Sequence, residues 1–298
     1  MIELIKLRGS FVPLVTPFNE IDEFDEYAFR KLVEWQIENG SHGISVEGTT
    51  GEPSALSLEE REEIYSTTVS AVRGRKPILA GTGTNNLKET LRLTKSAEKV
   101  GVDASLVIVP YYNRPSQDGL FDYFSKVAES TKLPIIIYNI PGRTATNMDP
   151  ITMKKLHNKH SNIVGVKEAN KDFDQVSKDI LECGRDFLVY SGIESLCFPI
   201  LTLGGAGHIS ATANILPKEV AELYNLVARG EWEKARDLHY HLLPINEALF
   251  WETNPVPLKS ALGMMGMINP RLRPPLVSLG EEKQEKLRAV MKMYNLIG

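Results

Sequence analysis

Lys167 sits at the end of an apolar run, in "NIVGVKEANKDF" (162–173), where Ile163, Val164 and Val166 predict a short buried strand and Glu168 follows directly. An ammonium in such a place is costly to bury without compensation, so either a partner or a reaction must account for it. Other residues able to do chemistry close similar runs. These are the hydroxyl pair Thr49 and Thr50 in "EGTTGE" (47–52), Tyr111 and Tyr112 in "PYYNRPS" (110–116), and Tyr138 and Arg143 in "YNIPGRT" (138–144). A lysine held among apolar groups has a lowered pKa, and a neutral amine attacks a ketone to give an imine. The protonated imine draws electrons from the neighbouring carbon. A phenol such as Tyr138 could carry the proton, given a hydroxyl chain to relay it, and a "GTTG" turn supplies N–H groups and hydroxyls for a carboxylate.

Each residue also has a structural role open to it. Lys167 could pair with Glu168 or another carboxylate, or reach out to water along its stem. Thr49 and Thr50 could shape a turn or cap a helix, and the tyrosines could be core or interface aromatics. His208, in "GHIS" (207–210), reads as a satisfied buried histidine rather than a base.

The elements that must position these groups follow from the apolar pattern. Eight β-branched runs, at 10–16, 43–46, 77–82, 104–110, 134–139, 163–169, 187–192 and 207–210, are apolar on nearly every residue. Such strands suit a parallel sheet covered on both faces. Between and after them, helical spacing recurs near 25–39, 58–73, 87–100, 117–130, 150–159, 173–182, 195–203 and 217–228. Eight strand–helix units predict an α/β (β/α)8 TIM barrel over 1–228, with side chains at the C-terminal strand ends entering its mouth. Three further helical segments predict a C-terminal helical subdomain over 229–298, and "PRLRPP" (270–275) reads as an extended connector.

Composition excludes several classes of function. The 298 residues balance 34 Lys plus Arg against 38 Asp plus Glu, a formal charge of −4, with no basic block to follow a phosphate backbone. Cys183 and Cys197 lie in no metal-binding or redox spacing and read as thiols in a reducing compartment. Carboxylates and histidines do not converge at the strand ends, so no metal is expected there. No run is long and apolar enough for a membrane span, and no cleavable leader is evident, so a cytoplasmic protein is expected.

Taken together, "GTTGE", "YYNRPSQDGL", "YNIPGRTATNM", "IVGVKEA" and "GGAGHISATANILP", with "ETNPVPLKSALGMMG" in the tail, resemble the pyruvate-dependent class I aldolases of the dihydrodipicolinate synthase and N-acetylneuraminate lyase group. The resemblance implies that Lys167 forms the imine with pyruvate, that Tyr138 transfers the proton, and that Thr49 and Tyr112 complete the relay. Tyr112 would reach the site of an adjacent subunit in a homodimer or homotetramer. It implies further that Thr50 and the main chain of Ile209 hold pyruvate, and that no metal or organic cofactor takes part. "YNIPGRT" resembles the branch that condenses pyruvate with L-aspartate 4-semialdehyde on the diaminopimelate route to lysine, Arg143 receiving the carboxylate of the aldehyde.

The sequence departs from the family pattern in two places. Glu47 stands where a small or apolar residue is expected, and its carboxylate would either face the second substrate or pair with a cation. Leu58 and Arg61 stand where lysine-inhibited members carry histidines, although Asn85, Glu89 and Tyr111 fit that effector pocket, so weak or absent feedback by lysine is expected. Three readings stay open: the condensing synthase, a retro-aldolase or dehydratase of a sugar-derived 2-keto acid, and a non-catalytic barrel that binds a keto acid.

Overall fold

The computed structural model describes residues 4–298; residues 1–3, where the expected barrel begins, lie outside the described residues. Eight parallel strands close into a barrel in chain order: β1 (Gly9–Pro13), β2 (Gly43–Val46), β3 (Ile78–Gly81), β4 (Ala104–Ile108), β5 (Ile135–Asn139), β6 (Ile163–Glu168), β7 (Leu188–Ser191) and β8 (Gly207–Ile209). Each agrees with a predicted run. Several stop short of the predicted C-terminal end because the chain there turns into the mouth; past β1, for example, the N–H of Val15 is taken by the side chain of Asn214.

The helices that follow the strands are α1 (Glu26–Glu38), α2 (Leu58–Val72), α3 (Leu87–Val100), α4 (Gln117–Glu129), α5 (Pro150–Lys159), α6 (Phe173–Cys183), α7 (Cys197–Thr202) and α8 (Pro217–Ala228). Local chemistry starts and stops them. Ser57 and Glu60 form a reciprocal capping box at α2, Ser116 caps α4, and Asp172 accepts the N–H groups of Asp174 and Gln175 at α6. Gly101, at φ 91°, ends α3 in a left-handed conformation.

Inside the barrel, Phe11, Leu79, Leu106, Ile136, Val164, Leu188 and Tyr190 fill the axis, so it is a packed core rather than a pore. Gly43 is required beside this layer, since a Cβ there would stand 2.0 Å from the ring of Phe11. Tyr190 donates its hydroxyl to the carbonyl of Leu7, which joins the start of the chain to the barrel floor. A second apolar layer lies between the strands and the helices.

The tail forms α9 (Trp232–Ala248), α10 (Val256–Met264) and α11 (Glu281–Met293). Its Leu242, Leu258, Leu262 and Leu287 join the same buried cluster as Val12, Phe29 and Ile64 of the barrel wall. One polar contact also holds the tail down. Lys259 of α10 is fully buried over the ring of Phe18, 2.5 Å from Glu52 Oε1, and donates to the carbonyl of Arg271 at 2.9 Å. Burial, opposed by Glu52, lowers the Lys259 pKa to about 8. Removing one partner of a buried pair leaves an uncompensated charge, so Lys259→Ala is expected to cost about 3–5 kcal/mol in urea unfolding. The double variant Glu52→Gln/Lys259→Met should recover most of that loss.

Candidate active site

Register brings the two central residues together. Tyr138 of β5 pairs directly with Lys167 of β6, so both side chains project from the same level of the barrel into its mouth. Lys167 is 4% exposed, and its Nζ lies 4.2 Å from the centroid of the Tyr138 ring. The phenol face thus offers the ammonium a cation–π contact where no ion pair forms among the described residues. Room for the lysine comes from Gly192, just past β7: a Cβ there would stand 2.9 Å from Lys167 Cε. Glu194 is buried nearby and accepts from the N–H of Ala211 at 2.8 Å and from Ser210 Oγ at 3.4 Å. Burial raises its pKa, and Lys167 is among the groups that partly oppose the shift.

A hydroxyl chain begins at the phenol. Thr49 Oγ1 is 3.3 Å from Tyr138 Oη, and Thr50 Oγ1 accepts from Asn254 Nδ2 at 3.0 Å. Both threonines lie in a single turn of 3₁₀-helix, Thr49–Gly51. The turn is bracketed by Glu47 and Glu52, each a non-glycine residue in the left-handed region, at φ 54° and 55°.

Each of these strained residues has its carboxylate in a buried ion pair. Glu52 is held by Lys259. Glu47 Oε2 lies 2.5 Å from Arg61 Nε on α2, while Arg61 Nη2 and the hydroxyl of Tyr65 both donate to the carbonyl of Gly81, at 2.9 and 2.6 Å. The expected carboxylate at the mouth is therefore paired with a cation. Its second oxygen, Oε1, has no hydrogen-bond partner, and burial raises the Glu47 pKa to about 7 against the pull of Arg61.

The mouth opens on a cavity of about 280 Å³ lined by Glu47, Thr49, Arg61, Tyr111, Tyr138 and Arg143, among others. Arg143 lies on a single helical turn, Pro141–Thr144, is exposed, and donates from Nη2 to the carbonyl of Asn254 at 3.3 Å. Ile209 closes β8 on the inner side.

Lys167, Tyr138 and Thr49 are thus brought together, with Thr50, Arg143 and Ile209 around them. Tyr112 is not part of this constellation in the single chain: it is 90% exposed, at φ 70°. Among the described residues no group of three His, Cys, Asp or Glu could hold a metal, and no helix is long and apolar enough to cross a membrane. Cys183 is half-buried and Cys197 buried, both as free thiols.

Several contributors escaped sequence reasoning. Asn254, which bridges Thr50 and Arg143, belongs to the quoted "ETNPVP" block but carried no recognisable signal of its role. Gly192 and the Glu52–Lys259 pair depend on contacts between distant segments. His208 is buried as expected, yet neither ring nitrogen has a hydrogen-bond partner; burial lowers its pKa to about 4 and keeps the ring neutral.

A closed parallel barrel with a buried lysine, a phenol and a threonine hydroxyl at the C-terminal ends of its strands defines a barrel enzyme with a lysine-centred mouth. Residues 6–294 match the model of the dihydrodipicolinate synthetase family. The 4-hydroxy-tetrahydrodipicolinate synthase of Thermus thermophilus is 48% identical over 97% of both chains. The crystal structure of dihydrodipicolinate synthase from Aquifex aeolicus superposes with a TM-score of 0.95 at 43% identity, covering 97% of this chain and 98% of that one. A pyruvate complex of the chloride-inhibited synthase from Acinetobacter baumannii also gives 0.95, at 39% identity over 97% and 99% of the two chains. The chain belongs to the dihydrodipicolinate synthetase family and is a lyase.

Gly192 provides a direct check on the lysine seat, because its backbone is one that alanine can adopt. Gly192→Ala, whose Cβ would stand 2.9 Å from both Lys167 Cε and Ala169 Cβ, should lower kcat/KM by about 10²-fold through displacement of Lys167 and of the end of β6 beside it.

Proposed function

We propose that the chain condenses pyruvate with L-aspartate 4-semialdehyde to 4-hydroxy-tetrahydrodipicolinate, the entry to diaminopimelate and lysine biosynthesis, through an imine on Lys167. The observation that carries this reading is the seat of Lys167 Nζ against the Tyr138 ring, with Tyr138 Oη in turn beside Thr49. The family membership and the pyruvate complex of the Acinetobacter baumannii relative support it.

In this scheme Lys167 Nζ attacks the ketone carbon of pyruvate and water leaves as the imine forms. A proton lost from the methyl carbon gives an enamine, which attacks the aldehyde carbon, and the new alkoxide takes a proton through Tyr138. The amine of the second substrate then adds to the imine carbon and expels Lys167, closing the ring. The protonated imine is the electron sink, so the reaction needs neither a metal nor an organic cofactor.

Thr50 holds the pyruvate carboxylate through its hydroxyl and backbone, the main chain of Ile209 contacts pyruvate, and Arg143 receives the carboxylate of the semialdehyde. The exposed Tyr112 completes the relay of a neighbouring subunit in a homodimer or homotetramer. The enzyme works in the cytoplasm. The position of Glu47, drawn back onto Arg61, favours this reading over a sugar-derived 2-keto acid, for which a free carboxylate at the mouth would serve the polyol.

Borohydride added with pyruvate should leave an adduct of pyruvate mass on Lys167; without one, imine chemistry is excluded and a keto-acid-binding barrel remains. Turnover with aspartate semialdehyde should exceed that with N-acetylneuraminate or 2-keto-3-deoxy sugar acids, and the reverse order would establish the second reading. Tyr138→Phe should lower kcat by about 10²-fold or more, with KM for pyruvate changing far less. Because Arg61 is buried in its pair with Glu47, added L-lysine should inhibit weakly or not at all; potent inhibition in a titration would refute this.

A further inference from the structure

Behind the mouth, on the outer face of β5 and β6, lies a polar cluster that the proposed reaction does not use. Glu168 is 1% exposed and faces away from Lys167, toward the helices. Its Oε1 accepts from Asn139 Nδ2 at 3.0 Å and from the N–H of Asn170 at 3.1 Å. Its Oε2 accepts from Asn139 Nδ2 at 3.1 Å and from Gln175 Nε2 at 3.3 Å. Asp179 lies one helical turn beyond Gln175 on α6, so its side chain leans back over the same spot. Asp179 is fully buried and neither oxygen meets a donor; the group it faces is the carboxyl of Glu168.

Two carboxylates cannot both be ionised there. The other charges around Asp179 are unfavourable or remote: Asp172, the cap of α6, repels it, Cys183 follows one turn on, and Lys154 is taken up by Glu182 at 2.8 Å. No cationic side chain pairs with Asp179 among the described residues. Since Glu168 has three donor groups and Asp179 none, the proton belongs on Asp179.

We propose that Asp179 is a positioning residue: it stands protonated, donates to Glu168, and through this shared proton fixes the Asn139–Glu168 bridge behind Tyr138 and Lys167. Asn139 and Glu168 are register partners, as are their neighbours Tyr138 and Lys167, so one bridge outside sets one distance inside. Ionising Asp179 puts two buried negative charges face to face, and the strand ends must separate or admit water. This rests on the reading of Lys167 as the imine-forming residue.

Burial first, and repulsion by Glu168 second, push the Asp179 carboxyl up to about 9. The folded state then holds a proton that the unfolded chain has released, so this group takes stability away as pH rises from about 4 toward about 9. Asp179→Asn supplies the donor permanently. In thermal denaturation of the full-length protein, the variant should lose less stability than the wild type over that range and melt higher near its upper end.

Borohydride trapping of pyruvate on Lys167 should proceed at similar rates in both proteins near pH 7. By about pH 10 the variant should be ahead by roughly threefold to tenfold, and Asp179→Ala should be slow at every pH. Parallel melting slopes for wild type and Asp179→Asn would overturn the shared proton, as would wild-type melting that follows the sodium or potassium concentration at fixed ionic strength. Differing melts with identical trapping profiles would overturn the positioning role. If neither protein forms an adduct, the imine reading of Lys167 fails and the positioning role with it, while the melting curves still decide the proton.

Discussion

The Glu47–Arg61 and Glu52–Lys259 ion pairs flank the turn that carries both threonines, and each is almost wholly withdrawn from water. Their glutamates occupy left-handed backbone conformations, which for residues with a side chain cost of order 1–3 kcal/mol and persist only where the surroundings over-determine them. The pairs supply that determination. One ties the end of β2 to α2 and β3, and the other ties the far side of the turn to the tail. Thr49 can therefore meet Tyr138 at a fixed distance without a loop that must close first. Buried pairs of this kind rarely add much to stability compared with apolar replacements, so their use here is better understood as geometry at the mouth.

The same division between an inner and an outer role appears on β5 and β6. Strand alternation sends Tyr138 and Lys167 inward, Asn139 and Glu168 outward. Inside, the ammonium rests on a phenol face and faces no paired carboxylate; outside, a carboxylate is saturated by amide donors. With Glu168 turned outward and Glu194 occupied by Ala211 and Ser210, the lysine is left free of a salt bridge that would have to break before it could act as a nucleophile.

The sequence carried the barrel plainly because its strands are continuous apolar runs, and each is followed by a helix with clear start and stop residues. The placement of Lys167, Tyr138 and Thr49 at the mouth was legible for the same reason, since the rule that strand ends meet there converts position in the chain into position in space, while their roles rested on the resemblance. Strand alternation alone turns Glu168, next to Lys167, toward the helices. What sequence could not supply were partners set by tertiary contact. Asp179 looks like an ordinary polar residue of an amphipathic helix, Lys259 like one of many lysines in the tail, and Asn254 like a loop residue. Glu47 stood out as a departure from pattern, but only the approach of Arg61 from α2 explains why a carboxylate is tolerated there.

The attachment of Glu52 to Lys259 has a consequence for biosynthesis. As the chain leaves the ribosome, all eight strands emerge before α10 does, so Glu52, in the turn after β2, has no cation opposite it until the tail has been made. Translation of the tail thereby completes the pocket, whose lining includes Thr253, Asn254, Pro255 and Arg273.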